Sequence, residues 1–331
     1  MGRGILDEVD IGGLKVAAFK TALELGIPDL LAREPRSASA LASATGWDAK
    51  GLRVLFDCLV LMGLAEPVGE ERFKLTDLAE KFLVASNPGY CAPIYLDWLR
   101  NRERLTEAIR TGKAPANQAS ESSAALWASD GAAVLVEWPD RVETVTARWR
   151  DLGVSREKLP GARVLDVGCG AGLMSLAIAR ADAAASVVVV DRPIVLSVTR
   201  TLAEAMGVTS QVAFIEGDMM ETSFGPASFD IVLCSNLLHF YRPEAVIGLL
   251  VKARDALRPG GRVFICASMR AKHGECGDEV WNELEMLTMA PEGTLYTYDQ
   301  YQAMAGNAGL TDIERHGSGM LSARKPGEGR A

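Results

Sequence analysis

The chain has 331 residues, 48% hydrophobic and 24% charged, enough for two domains with sizeable cores. A net charge of −8 argues against sequence-independent nucleic-acid binding, and no apolar run is long enough to span a bilayer. The N-terminus MGRGILDEVD does not read as a signal peptide, and six cysteines (58, 91, 169, 234, 266, 276) without a CxxC pair read as reduced core thiols, so a cytoplasmic protein is expected.

Residues 5–33 carry apolar side chains at helical spacing (Ile5, Val9, Leu14, Ala17, Ala18, Leu23), with one helix ending at Gly26 and another starting at Pro28. Next, Ser37 or Ser39 is placed to cap a short helix, Gly46 to stop it, and Asp48 to cap a longer helix over 48–62. Two extended pieces, LAEPV and RFKLT, then flank GEE, and two helices followed by a hairpin make a winged-helix pattern. A winged helix often reads DNA, but the second helix offers only Lys50 and Arg53, with Asp57 among them, which is thin for phosphate contact. NPGYCAP and GKAPANQASESS read as loops, 90–98 as an aromatic-rich piece that walls a pocket or packs, and 135–149 as a helix.

From Gly161 the chain alternates strand and helix. Strands are expected at 163–167, 186–191, 212–216, 230–234 and 262–267, and helices at 172–181, 194–206, 243–257 and 280–290. LTDIERHGSGMLSARK reads as a closing antiparallel hairpin, and KPGEGRA as a frayed tail. The expected class is α/β: a doubly wound, mostly parallel, Rossmann-like sheet behind a mainly helical N-terminal domain. The domains are set at 1–110, a helical linker at 111–154, and a catalytic domain at 155–331.

The segment RVLDVGCGAG at 163–172 organises this half: a buried strand, then Gly168, Gly170 and Gly172, then a helix. Residue 173 is Leu, where a dinucleotide fingerprint has glycine or alanine, which speaks against a nicotinamide oxidoreductase. Asp166 on the strand would repel a pyrophosphate but suits a cofactor with an amino group and a positive charge. Asp191, ending the second strand, is placed to accept from both ribose hydroxyls.

VLDVGCGAG, Asp191, GDMM at 217–220 and RPGGRVFI at 258–265 resemble the motif set of class I S-adenosylmethionine (SAM) methyltransferases. ALELGIPDLL, LVLMGLAEP and FKLTDLAEKFL are similar to the dimerisation domain of the small-molecule O-methyltransferases, the plant caffeate type and its bacterial antibiotic and pigment relatives. That resemblance covers almost the whole chain. It implies SAM as cofactor, S-adenosylhomocysteine (SAH) as product, a small-molecule acceptor, and a homodimer joined through the N-terminal helices, with no nucleic acid, membrane or metal partner.

By the same resemblance, Asp166, Gly168, Gly170, Gly172, Asp191 and Arg192 surround the cofactor. Asp218 and Met219 meet the adenine, and Ser235 and Asn236 the methionine end. Asp218 also fits a plain turn. His239 falls at the family's catalytic position, where a base near neutrality would take the proton of a phenol whose own pKa is about 10. The glutamates that orient that histidine in the plant enzymes are replaced by Ala267 and Leu295, with Glu292 off register. Tyr95, Trp98, Tyr241, Met269, Arg270 and Trp281 are the candidates for the acceptor pocket. S-methylation of a small acid is the alternative, with Arg100, Arg102, Arg141 or Arg270 as carboxylate partner. A winged-helix regulator that senses SAM is the alternative from another class.

Overall fold

The computed structural model describes residues 4–271, 277–317 and 319–327. His273, Cys276 and the last residues of the tail lie outside these. The chain divides into two compact units, one up to Arg100 and one from Asn101.

The first unit opens with α1 (Gly4–Glu24) and α2 (Ile27–Ala32), separated by Gly26 in the left-handed conformation at φ 64°. β1 (Arg36–Ser37), α3 (Ala38–Thr45), α4 (Ala49–Leu61), β2 (Ala65–Val68), β3 (Arg72–Leu75) and α5 (Asp77–Leu83) follow. Ser37 caps α3 by accepting from Ala40 N at 3.1 Å, Gly46 stops it at φ 78°, and Asp48 caps α4 by accepting from Gly51 N at 2.6 Å. β2 and β3 form the expected hairpin, with β1 added antiparallel on the far side of β3. Phe56, Phe73, Ile27 and Leu41 form the buried centre, the two phenyl rings 5.1 Å apart. On α4, Arg53 is paired with Asp57 at 3.1 Å, one turn away.

α6 (Ala92–Arg102) spans the division between the units. The second unit continues with α7 (Leu105–Thr111) and the long α8 (Ala124–Asp151), which starts eleven residues before the helix expected at 135. Then come β4 (Arg163–Val167), α9 (Leu173–Ala181), β5 (Ser186–Asp191), α10 (Pro193–Ala205), β6 (Val212–Glu216), β7 (Phe229–Ser235), α11 (Pro243–Ala256), β8 (Leu257–Cys266), α12 (Glu279–Met289), α13 (Tyr298–Asn307), β9 (Thr311–Arg315) and β10 (Met320–Arg324). The seven strands run in the order β6-β5-β4-β7-β8-β10-β9. β4 through β8 are parallel to their neighbours, and β10 closes the sheet antiparallel to both β8 and β9.

The central strands are buried on both faces, which is why they read as continuous apolar runs. Alternate residues supply two cores: Leu165, Val167, Val232 and Ile265 on one side, Val164, Val189, Leu233 and Phe264 on the other. α8 packs on the second side, where the buried Trp149 donates its indole N–H to Met174 O at 2.8 Å and meets Phe264 edge-on. Strand order reverses at β4, between β5 and β7, so a crevice opens beyond the carboxyl ends of these strands.

Candidate functional site

A cavity of about 940 Å³ lies at that crevice, and all the residues lining it belong to the second unit. Its floor is the turn after β4. Gly168, Gly170 and Gly172 have φ of 62°, 55° and 79°, a region that side chains with a Cβ avoid. At Gly170 an added Cβ would meet nothing within 4 Å, so the backbone there stands open to the cavity. At Gly172 it would stand 2.8 Å from Thr199 Cγ2, so this glycine also serves the close packing of α10 on the turn.

Two carboxylates hold the turn. Asp191 accepts from Gly170 N at 2.9 Å and Arg192 N at 2.8 Å; burial raises its pKa, and these two bonds and the Arg192 charge oppose the rise. Asp166 is buried at the end of β4. One of its oxygens accepts the Ser175 hydroxyl at 2.6 Å, while the other, Oδ1, is buried with no hydrogen-bond partner among the described residues. Burial, with Asp191 nearby, pushes its pKa up to about 7 despite the Ser175 bond. Arg192, which also lines the cavity, pairs with Glu121 at 2.8 Å and donates to Ala119 O at 2.6 Å, tying it to the segment whose Gln118 and Ala119 line the cavity too.

Met219, Ser235, Asn236, Tyr241, Met269 and Trp281 also line the cavity. Met219 is buried and its carbonyl accepts from Lys252 Nζ at 2.6 Å. Asn236 sits at φ 49°, its N–H donating to Cys266 O at 2.7 Å, so the chain leaves β7 through a sharp, strained corner. Tyr241 has its hydroxyl pKa pushed up to about 12 by burial, and Trp281 is two-thirds exposed.

Five of the expected site residues, Asp218, Arg270, His239, Tyr95 and Trp98, do not line the cavity. Asp218 accepts from Met220 N at 2.7 Å and so closes its own turn. Arg270 is paired with Glu283 at 3.3 Å. His239 is buried, its ring 4.5 Å from that of Phe240, with Nδ1 lacking any partner among the described residues. Burial alone pushes its pKa down to about 4, so it is neutral at pH 7 and a weak base. Among the described residues no carboxylate bonds to it: Ala267 and Leu295 stand at the two positions expected to lack one, and Glu292 lies near Arg242 at 4.0 Å. Tyr95 and Trp98 belong to the first unit, where Tyr95 packs edge-on between Phe19 and Trp98.

The largest contribution missed by sequence reading comes from α8. Trp127, Asp130, Gly131 and Val134 line the cavity from one face of that helix, at the spacing i, i+3, i+4, i+7. The spacing is present in WASDGAAV, where serine and glycine weaken the helical signal. Phe240 and Asn282 complete the wall.

Residues 164–261 match the methyltransferase domain, and residues 12–85 match the O-methyltransferase dimerisation domain. The chain belongs to the SAM-dependent O-methyltransferase family. Among its relatives, acetylserotonin O-methyltransferase of Rattus norvegicus is 28% identical over 330 residues, covering 93% of this chain and 74% of the rat protein. Mitomycin biosynthesis 6-O-methyltransferase of Streptomyces lavendulae is 26% identical, covering 77% of this chain and 74% of its own. Human N-acetylserotonin methyltransferase, solved in complex with SAM, shares the fold with a TM-score of 0.74 at 22% identity, covering 98% of this chain and 100% of the human one. This methyltransferase has no helix among the described residues long and apolar enough to cross a membrane.

Proposed function

We propose that the enzyme transfers the methyl group of SAM to a hydroxyl of a flat small molecule, acting as a cytoplasmic homodimer. The observation that carries this reading is one continuous cavity lined both by the polar glycine turn and by aromatic side chains. The residues of the turn fit SAM. The unpartnered Asp166 Oδ1 is a ready acceptor for an ammonium group, and the open backbone at Gly170 admits a ligand. In this reading Asp166, Gly168, Gly170 and Gly172 hold the amino-acid end with Ser235 and Asn236, Asp191 takes the ribose, and Met219 covers the adenine with a soft apolar surface. Bound there, the cofactor supplies a methyl group on a positively charged sulfur. The chain's task is then to hold an acceptor oxygen in line with it and to exclude water.

Trp127, Phe240, Tyr241 and Trp281 give the acceptor side its aromatic walls, suited to a planar ring. Relatives named for acetylserotonin and mitomycin O-methylation support oxygen as the atom methylated. The acid-binding alternative has little support, because each of its four arginines already has an ion-pair partner: Arg100 with Glu24, Arg102 with Glu285, Arg141 with Glu137 and Arg270 with Glu283.

The homodimer is supported by the dimerisation-domain match and by Ile5, Leu6, Val9 and Leu14, which α1 leaves more than 60% exposed. Five unpaired cysteines among the described residues favour a reducing compartment. Transfer of radiolabel from methyl-labelled SAM to hydroxylated aromatics, with the product's O-methyl group identified by mass spectrometry, tests the reaction. A product methylated only at sulfur or nitrogen would overturn it.

A further inference from the structure

The chain leaves β7 through the Asn236 corner and at once makes a short helical turn, Leu238–Phe240. Phe240 N–H donates to Leu237 O and Tyr241 N–H to Leu238 O, both at 3.2 Å. The turn carries His239, which the resemblance places as the base, and beside it Phe240 and Tyr241, which line the cavity. The resemblance implies an orienting glutamate at position 295, but Leu295 is buried and has no polar group to offer. The turn is fixed by other means.

The loop between α12 and α13 supplies them. Gly293 lies against the turn: a Cβ added there would stand 2.9 Å from Phe240 Cα and would also meet the His239 carbonyl oxygen. Three residues on, the buried Tyr296 donates its hydroxyl to Tyr241 O at 2.6 Å. Tyr296 is itself anchored on two sides. Its carbonyl accepts the N–H of Arg270 at 3.0 Å, next to Met269 of the cavity wall. Its ring meets that of the fully buried Tyr301 edge-on, with centroids 5.4 Å apart. The next residue, Thr297, is held as the N-cap of α13 by its capping box with Gln300. Burial and Glu244 raise the Tyr296 pKa, so the phenol keeps its proton and stays a donor at neutral pH.

We propose that Tyr296 is a positioning residue of the methyl-transfer site. Its hydroxyl bond to Tyr241 O holds the 238–241 turn, and with it His239, Phe240 and Tyr241, in fixed relation to the segment after β8 that carries Met269. Tyr296 does not line the cavity; it acts through the backbone it holds. A misplacement of about 1 Å can cost roughly 10²-fold in rate, so a single bond at this point has leverage on catalysis. The inference builds on the methyl-transfer reading above and holds whichever acceptor atom is methylated.

The test uses the full-length enzyme and the variants Tyr296→Phe and Tyr301→Phe. Tyr296→Phe removes the donor and keeps the ring pair. Tyr301→Phe removes the other hydroxyl of that pair, which has no partner among the described residues, and so controls for packing. Backbone amide exchange of the SAH complexes is followed by mass spectrometry. In Tyr296→Phe, exchange over 238–242 is expected to quicken about tenfold, the worth of roughly one hydrogen bond, with 163–172 unchanged. Tyr301→Phe leaves both segments as in the wild type. Turnover of catechol and 1-naphthol is measured at saturating SAM, and SAH affinity by calorimetry. Tyr296→Phe is expected to lower kcat about tenfold while the acceptor KM stays within about threefold and SAH affinity within about twofold, the pattern of an interaction that serves the transition state.

Unchanged exchange over 238–242 overturns the proposal, as does faster exchange with wild-type kcat. An equal loss of kcat in Tyr301→Phe overturns it too, because ring packing would then be the cause. So does a parallel loss of SAH affinity, which would place the effect at the cofactor turn. If the wild type methylates thiophenol or aniline but neither hydroxylated ring, the hydroxyl reading fails by itself. The same kcat comparison on that acceptor then decides the role of Tyr296, and the exchange measurement needs no acceptor at all.

Discussion

Asp166 links the stability of the free enzyme to pH in a direction opposite to most carboxylates. Its pKa rises on folding, from the ordinary 3.8 to about 7, because burial disfavours the charged form and Ser175 only partly compensates. Below pH 4 the group is protonated in both folded and unfolded chains and costs nothing. As pH rises through the interval from 4 to 7 the unfolded chain loses its proton first, so the folded state is progressively disfavoured. Above pH 7 the full penalty is present. At about 1.4 kcal/mol per pH unit the upper bound is on the order of 4 kcal/mol.

Asp166→Asn keeps the shape and an acceptor for Ser175 but cannot ionise. The quantity to measure is the difference in Tm between variant and wild type, taken from pH 5 to pH 8 by thermal denaturation without cofactor. Contributions of the other carboxylates are common to both proteins and cancel. The variant is expected to gain on the wild type by roughly 5–12 °C across that interval, taking about 2–4 °C per kcal/mol for a domain of about 200 residues. Parallel curves would refute the argument, since they would mean that Asp166 is ionised at the same pH in the folded and unfolded chain. The same linkage makes SAH binding release protons at pH 6, because an ammonium group beside Asp166 favours its ionised form. The binding enthalpy should then depend on the ionisation enthalpy of the buffer, and Asp166→Asn should remove that dependence.

Asp191→Ala is expected to weaken SAH binding by about 1.5–3 kcal/mol, the worth of hydrogen bonds to a charged group, as read by calorimetry; unchanged affinity would rule out the ribose assignment. Gly172→Ala combines a φ of 79° with a Cβ 2.8 Å from Thr199 Cγ2, so a loss of about 2–4 kcal/mol in denaturant unfolding is expected. Lys252→Met removes the donor that holds the Met219 and Met220 carbonyls at 2.6 Å and 3.0 Å; about 1–2 kcal/mol of stability should go with it, and SAH should bind several-fold more weakly. If that affinity is unaltered, the turn keeps its shape without the lysine.

What the sequence made legible is what backbone sterics and short-range periodicity encode. β4, its glycine turn and α9 could be read residue by residue, because left-handed corners at 168, 170 and 172 demand glycine and a strand buried on both faces demands an apolar run. α13 was equally readable in principle, since Thr297 and Gln300 form a capping box visible as TYDQ, yet its weak apolar pattern hid it. The site followed another rule. His239 carries the identity of a base, but the state of an imidazole is set by what surrounds it. The loop carrying Gly293 packs closely on the His239 backbone, leaving no room for a Cβ at Gly293 beside the His239 carbonyl oxygen. The ring is buried and its Nδ1 has no partner among the described residues, and no short motif around position 239 encodes that. Asp130, one of the cavity-lining residues of α8, is the converse case. As a letter it is an acid among alanines on a helix whose start the pattern concealed. Its neighbours on that helix, Gly131 and Trp127, pack on Ala171, Val198 and Phe240, forty to a hundred and ten residues away in the chain. Motifs locate the cofactor because its recognition is local to one turn. The acceptor's chemistry depends on which long-range contacts dry one side chain and wet another, so it emerges only when α8 is laid across the sheet.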